Sequence, residues 1–171
     1  MTIALSLFDP SRQYDAQKKF DCGNAVINKF VYDSLKGQVK KGFSTAYVLT
    51  DSSAKDRFVG FYTIAQHRMS LKDLSALQLG SLPSSVPCTR LIMLGVDKGH
   101  QGKQLGMKLM KHALETTKVV ARSIASVGLY LDADAAALSF YERLGFTLLE
   151  GDKSPAPSPM FLPLSAIPDA H

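Results

Sequence analysis

Three consecutive elements in the middle of the chain limit its folds most. Thr89 to Val96 is apolar over the length of one strand, and Asp97 to Gln104 is polar and glycine-bearing. Leu105 to Val120 then returns apolar residues at helical spacing, with Leu105, Leu109, Ala113 and Leu114 on one face. A continuously apolar strand that enters a helix through a short loop belongs to an α/β arrangement, its sheet buried under helices. A chain of 171 residues is long enough for one such domain and short for two.

The flanking sequence supplies the rest of a sheet. Ile3 to Phe8 reads as a strand. Asn24 to Lys41 spaces Val26, Ile27, Phe30, Val31, Leu35 and Val39 as an amphipathic helix, with Asn24 as N-cap, Lys36, Lys40 and Lys41 at its end and Gly42 as the stop. Ser44 to Thr50 and Phe58 to Gln66 form a hairpin around the polar Asp51 to Arg57. Ser70 to Leu79 is a short helix or turn, with Gly80, Pro83 and Pro87 as loop punctuation. Beyond the long helix, Gly128 to Asp132 is a strand, and Asp134 caps a helix over Ala135 to Leu144 that Gly145 ends. Thr147 to Glu150 and Met160 to Leu164 are strands on either side of the proline-rich Ser154 to Pro159. The expected fold is mixed α/β (α+β), with a twisted central sheet of six or seven strands, helices on both faces and a single domain over residues 1–171.

Apolar residues make up 46% and charged residues 20% of the chain, which excludes disordered, collagen-like and coiled-coil classes. The net charge of +5 is uneven: residues 61–122 carry nine basic and three acidic side chains. Such a field suits an anionic ligand or nucleic acid, although a solvated lysine-rich helix face is its commoner cause. Cys22 and Cys88 stand far apart without histidines at ligand spacing, so neither a metal site nor a disulfide scaffold is indicated and a reducing cytoplasm is expected. The N-terminal residues lack the pattern of a signal peptide, and no apolar run approaches the ~20 residues of a membrane span.

Chemistry concentrates in two places. The loop Gln101-Gly102-Lys103-Gln104-Leu105-Gly106 opens the long helix, whose first N–H groups have no intrahelical partners and point at one spot with the positive end of the helix dipole behind them. Such a spot binds phosphate, with Lys98 and Lys103 at its rim; an ordinary strand-to-helix turn has the same composition. The second place is Asp134 to Phe146, where Ala133, Ala135, Ala136 and Ala137 leave room beside a helix that carries Phe140 and Tyr141. From the residues alone, the Tyr141 phenol either completes a core, which is the commoner case, or donates a proton.

Together the two segments resemble the GCN5-related N-acetyltransferase (GNAT) superfamily. Its pyrophosphate loop reads Gln/Arg-x-x-Gly-x-Gly/Ala after a central strand, and its last helix carries Phe-Tyr-x-x-x-Gly-Phe. The resemblance extends from about Phe20 to Leu164. Phe20-Asp21-Cys22-Gly23, Thr45 to Leu49, Val59 to Thr63 and Arg90 in Pro87-Cys88-Thr89-Arg90-Leu91 look more narrowly like the GNAT toxins of bacterial toxin–antitoxin pairs.

The resemblance implies acetyl-CoA as cosubstrate and no metal. The backbone of Leu94 and Val96 would meet its acetyl and pantetheine end, and Gln101, Gly102, Lys103, Gln104, Leu105 and Gly106 its pyrophosphate. Tyr141 would be the general acid. Gln104 departs from the pattern, standing where the family's first loop glycine sits, and no carboxylate has a motif-level claim to be the general base; Asp97 reads as a loop or cap residue. Toxins of this group acetylate the amino group of aminoacyl-tRNA and are neutralised by a ribbon-helix-helix antitoxin. Those partners, a homodimer and RNA contacts at Lys36, Lys40, Lys41, Arg68 and Arg90 complete the expectation. The alternatives are acetylation of a small amine or a protein N-terminus, and a non-catalytic acyl-CoA-binding module.

Overall fold

A computed structural model describes residues 1–70, 84–149 and 157–169. Its strands are β1 (Ile3–Leu7), β2 (Thr45–Asp51), β3 (Arg57–Ser70), β4 (Ser85–Val96), β5 (Gly128–Ala133), β6 (Thr147–Leu148) and β7 (Ser158–Pro163). The α-helices among the described residues are α1 (Ala25–Asp33), α2 (Leu35–Lys40), α3 (Leu105–Val120) and α4 (Leu138–Arg143). The seven strands are hydrogen-bonded in the order β1-β2-β3-β4-β5-β7-β6. β4 and β5 pair in parallel, whereas β1/β2, β2/β3, β5/β7 and β6/β7 are antiparallel, giving the expected mixed sheet.

The chain divides into two units, Met1–Ala65 with Ile92–His112, and Gln66–Leu91 with Ala113–His171. β3, β4 and α3 run through both. In the first unit, neighbouring residues of β3 point to opposite faces. Phe61 stacks on Phe30 of α1, with ring centroids 6.1 Å apart, while the Tyr62 hydroxyl lies 2.7 Å from Nδ1 of His112 on α3. Helices therefore cover both faces of this part of the sheet. Under α1 and α2, Phe8, Tyr14, Phe20, Val31, Leu35, Phe58 and Phe61 form one buried cluster, and each contributes on the order of 2 kcal/mol by leaving water. The Asn24 side chain accepts from the N–H groups of Val26 and Ile27, as an N-cap should.

In the second unit Arg90 and Leu91 of β4 lie opposite Tyr130 and Leu131, and β7 pairs with the whole of β5. Met69, Val86, Cys88, Tyr130, Leu149 and Phe161 form its buried cluster. Gly128 at the head of β5 has no room for a side chain. A Cβ there would stand 2.2 Å from the Leu162 carbonyl oxygen and 3.0 Å from the Leu164 nitrogen, both backbone atoms.

Several local expectations change. The single helix over Asn24 to Lys41 is two, broken at Ser34 (φ −122°, ψ −32°), where Asp33, Ser34 and then Gly37 give the helix its weakest propensity. Pro87 lies inside β4, which starts at Ser85; proline withholds only the N–H it lacks, and its carbonyl accepts from Val127 N at 2.9 Å. Asp134 makes no capping bond, and Ala135–Ala137 forms a 3-10 turn before α4 begins. Apart from Ser70, which ends β3, the expected helix or turn of Ser70 to Leu79 lies outside the described residues, as do Gly80, Pro83, Glu150 and residues 154–156 of the expected Ser154 to Pro159 loop, whose Ser158 and Pro159 instead open β7.

Gln104, where α3 begins, has φ +60°, a left-handed conformation that costs a non-glycine residue about 1 kcal/mol. Gln104→Gly should hold or raise the thermal midpoint, and the β-branched Gln104→Val should lower it by several degrees. Gly128→Ala should destabilise by at least about 3 kcal/mol, or roughly 6–12 °C in thermal midpoint by calorimetry, because backbone must move to admit the methyl group.

Candidate active site

In the first unit the chain leaves β4 through Asp97, whose backbone N–H donates to Val59 O at 2.8 Å. The Asp97 side chain is buried and takes two backbone donors, Gly99 N at 3.0 Å and Asp21 N at 3.1 Å. It caps the 3-10 turn Lys98–His100, in the loop role expected of it. The Gln101 side chain turns back beneath the loop, donating from Nε2 to Val96 O at 2.8 Å and to Cys22 O at 3.0 Å. It secures the loop, its amide nitrogen spent on two backbone carbonyls.

Gly102 (φ +79°) and Gln104 (φ +60°) then swing the chain into α3, where Gln104 O accepts the first helical bond, from Lys108 N. The N–H groups of Leu105, Gly106 and Met107 have no acceptor within the helix, and sixteen residues of aligned peptide dipoles stand behind them. A Cβ added at Gly102 or Gly106 would meet nothing within 4 Å, so at Gly106, whose φ is not positive, packing in this chain does not require glycine. That open backbone at a helix head fits a diphosphate. Lys103 is exposed, its Nζ 3.9 Å from Met1 Sδ, and Lys98 pairs with Asp21 at 3.5 Å across a solvent-exposed gap that holds it weakly. Leu94 is half-buried and Val96 buried at the end of β4.

Tyr141 belongs to the second unit, on α4. It is 9% exposed, with Phe140 and Phe146 edge-on at 5.2 and 5.6 Å. Burial, aided by the negative charge of Asp134, pushes its pKa up to about 12. The phenol therefore holds its proton throughout the physiological range. Of the alanines that precede it, Ala135 and Ala136 are exposed and Ala137 half-buried, while Ala133 is buried and leaves no room beside it.

The expected RNA-contacting cations separate into two groups. Lys36 and Lys40 are exposed on α2 and line a groove of about 910 Å³ together with Arg12, Lys18, Lys19 and Arg57; Lys41 is exposed at the end of α2. Lys18 reaches the Tyr32 carbonyl and Arg12 pairs with Asp56 at 2.5 Å. In the second unit, Arg68 donates to Ser85 at 3.0 and 3.3 Å, and Arg90 pairs with Asp132 at 2.9 Å while lying over the Tyr130 ring. Sequence reasoning does not pick out Arg12, Lys18, Lys19 and Arg57, which are scattered along the chain and share a wall only after folding. Among the described residues no cluster of metal-ligating side chains occurs, and no helix is long and apolar enough to cross a membrane.

Residues 42–148 match the model of the acetyltransferase (GNAT) domain. A relative from Sinorhizobium fredii named "Probable toxin TacT" is 26% identical over 169 residues, covering 93% of this chain and 90% of the relative. The "tRNA-acetylating toxin" of Mycobacterium tuberculosis is 26% identical over 146 residues, covering 84% and 86%. A solved structure described as a bacterial toxin superposes with a TM-score of 0.92 at 34% identity, covering 96% of this chain and 92% of that one. AtaT complexed with acetyl-methionyl-tRNAfMet gives 0.85 at 25% identity, covering 96% of each chain. A mutant AtaT bound to the C-terminus of the antitoxin AtaR and acetyl-CoA gives 0.81 at 24% identity, covering 98% and 96%, a likeness of fold. With a family domain matched across most of its length, this chain belongs to the GNAT acetyltransferases.

Proposed function

We propose that this chain is a translation-blocking toxin that transfers the acetyl group of acetyl-CoA to the amino group of an aminoacyl-tRNA. The observation that carries the transferase part is the open backbone at the head of α3, left free of side chains at Gly102 and Gly106. The tRNA part is supported by the name of the Mycobacterium tuberculosis relative, by the RNA product bound in AtaT, and by the cation-lined groove beside α2. Residues 1–171 read as one domain, since neither unit is a continuous stretch of chain.

Bound acetyl-CoA would supply an activated thioester, so that a C–N bond forms as the C–S bond breaks. Gln101 through Gly106 would hold its pyrophosphate by backbone N–H groups, with Lys103 and Lys98 adding positive charge at the rim. The backbone of Leu94 and Val96 would align the acetyl and pantetheine end. Tyr141, protonated up to about pH 12, would give its proton to the departing sulfur and recover one from solvent, to which the amine's proton passes. Asp97 accepts two backbone donors in the loop, and no general base is assigned. None is required, because an α-amino group titrates near ~7.7–8.0 and is partly neutral at physiological pH. A ribbon-helix-helix antitoxin, a homodimer and a cytoplasmic location complete the proposal, and a small ribbon-helix-helix reading frame beside this one would support it.

With acetyl-CoA and aminoacyl-tRNA, the protein should release thiol. Tyr141→Phe should lower kcat by about 100-fold or more while calorimetric CoA affinity stays within about twofold. Expression of the wild type alone should arrest growth, and Tyr141→Phe should relieve the arrest. Normal growth with well-expressed wild type would sink the toxin reading; thiol release with small amines but not aminoacyl-tRNA would move the acceptor to that class. The Tyr141 pKa also sets a stability signature. A raised pKa means stability present below about pH 10 and lost as pH rises toward 12, a difference of roughly 2–3 kcal/mol that Tyr141→Phe should remove from chemical-denaturation curves.

Reversing Lys36, Lys40 and Lys41 together should weaken tRNA binding. It should also flatten the slope of log K against log salt by about two to three, close to one for each phosphate no longer neutralised. Unchanged affinity would remove these lysines from the RNA surface.

A further inference from the structure

The turn Asp21-Cys22-Gly23 and the entrance to the helix-head loop are tied together from both sides. Asp21 N donates to the Asp97 carboxylate at 3.1 Å, Lys98 N donates to Asp21 O at 2.8 Å, and Gln101 Nε2 donates to Cys22 O at 3.0 Å. The turn is itself braced by Asn28 of α1. Asn28 Nδ2 donates to Asp21 Oδ1 and Cys22 N donates to Asn28 Oδ1, both at 2.9 Å, while Gly23 N closes on Asp21 Oδ1 at the same distance. The fit is tight. A Cβ on Gly95 of β4 would stand 3.2 Å from Ile27 and 3.3 Å from the Cys22 sulfur. His100 completes the cluster, its Nδ1 3.8 Å from Asp97 Oδ1.

Every tie ends on a residue between Val96 and Gln101, immediately before the segment that carries Gly102 and the strained Gln104. A left-handed glutamine persists only where its surroundings hold it. We propose that Asn28, Asp21 and Asp97 are positioning residues that act through Gln101 and Lys98 to hold the helix-head backbone ready for the pyrophosphate of acetyl-CoA. None of the three has to touch that ligand. The proposal rests on the reading of residues 101–106 as the pyrophosphate cradle, and it gives the Asp21-Cys22-Gly23 turn a task separate from the acceptor. Its selectivity follows from the geometry: loosening the brace should penalise a donor that has a pyrophosphate and spare one that lacks it.

Asp97→Ala removes the central acceptor, and Asn28→Ala loosens the brace from α1 without altering the loop sequence. Calorimetry with CoA should show a Kd raised about tenfold or more for Asp97→Ala and several-fold for Asn28→Ala. Turnover should show a raised KM for acetyl-CoA with kcat and the acceptor KM within about twofold. With S-acetyl-pantetheine, which has no pyrophosphate, kcat/KM should match the wild type. CoA affinity within twofold of wild type in the folded variants, or equal losses with both donors, would overturn the proposal; if Asp97→Ala does not fold, Asn28→Ala decides it. Failure of the wild-type protein itself to bind CoA would instead overturn the cradle reading beneath.

Discussion

Backbone N–H groups without partners at the head of α3 are what the first unit is arranged around. A helix begins with donors it cannot satisfy, and here the backbone at Gly102 and Gly106 adds no side chain and has open space beside it. Presenting several donors at one point requires a chain path that ordinary residues resist, visible in the positive φ of Gln104. The buried carboxylate of Asp97 and the amide of Gln101 secure that path from below, leaving the outer side of the loop to a ligand. Strain, openness and bracing are three aspects of one requirement, that the loop be set before anything binds.

Charge follows a similar division. Some cations sit beside a carboxylate, as Arg90 does with Asp132, Lys118 with Asp169 and, more loosely, Lys98 with Asp21. Exposed pairs of this kind add little stability, but they lower the field that a distant anion feels. The groove beside α2 differs because six cations share one wall with two carboxylates, Asp15 and Asp33. Its field therefore comes from the way α2 and the N-terminal segment pack, more than from the number of lysines in any stretch of sequence.

What can be read from the chain alone is what local sequence dictates. The bounds of α3, the Asn24 cap and the stop at Gly145 follow from periodicity and capping chemistry. The departure of Gln104 from the loop pattern is visible in sequence as well, and its backbone shows the cost. Non-local features are hidden. Arg12, Lys18, Lys19 and Arg57 become neighbours of Lys36 only through the fold, and no spacing rule reports it. Pro87 looks like loop punctuation because a rule about missing donors says nothing of a carbonyl that still accepts. The helix break at Ser34 is hidden because the apolar stripe runs unbroken across it; a stripe records which side is buried, not whether the backbone is continuous.

The order of strands carries a consequence for how the chain comes into being. β7, the last strand, inserts between β5 and β6, so β6 has no ladder until residues 158–163 arrive. The helix bearing Tyr141 lies between β5 and β6 in the chain. A nascent polypeptide released anywhere before that final strand would end with the tyrosine's neighbourhood unpaired on one side. For a protein whose proposed target is the translation machinery, the ribosome that makes it would have to pass residue 163 before Tyr141, the proposed acid, could be set in place.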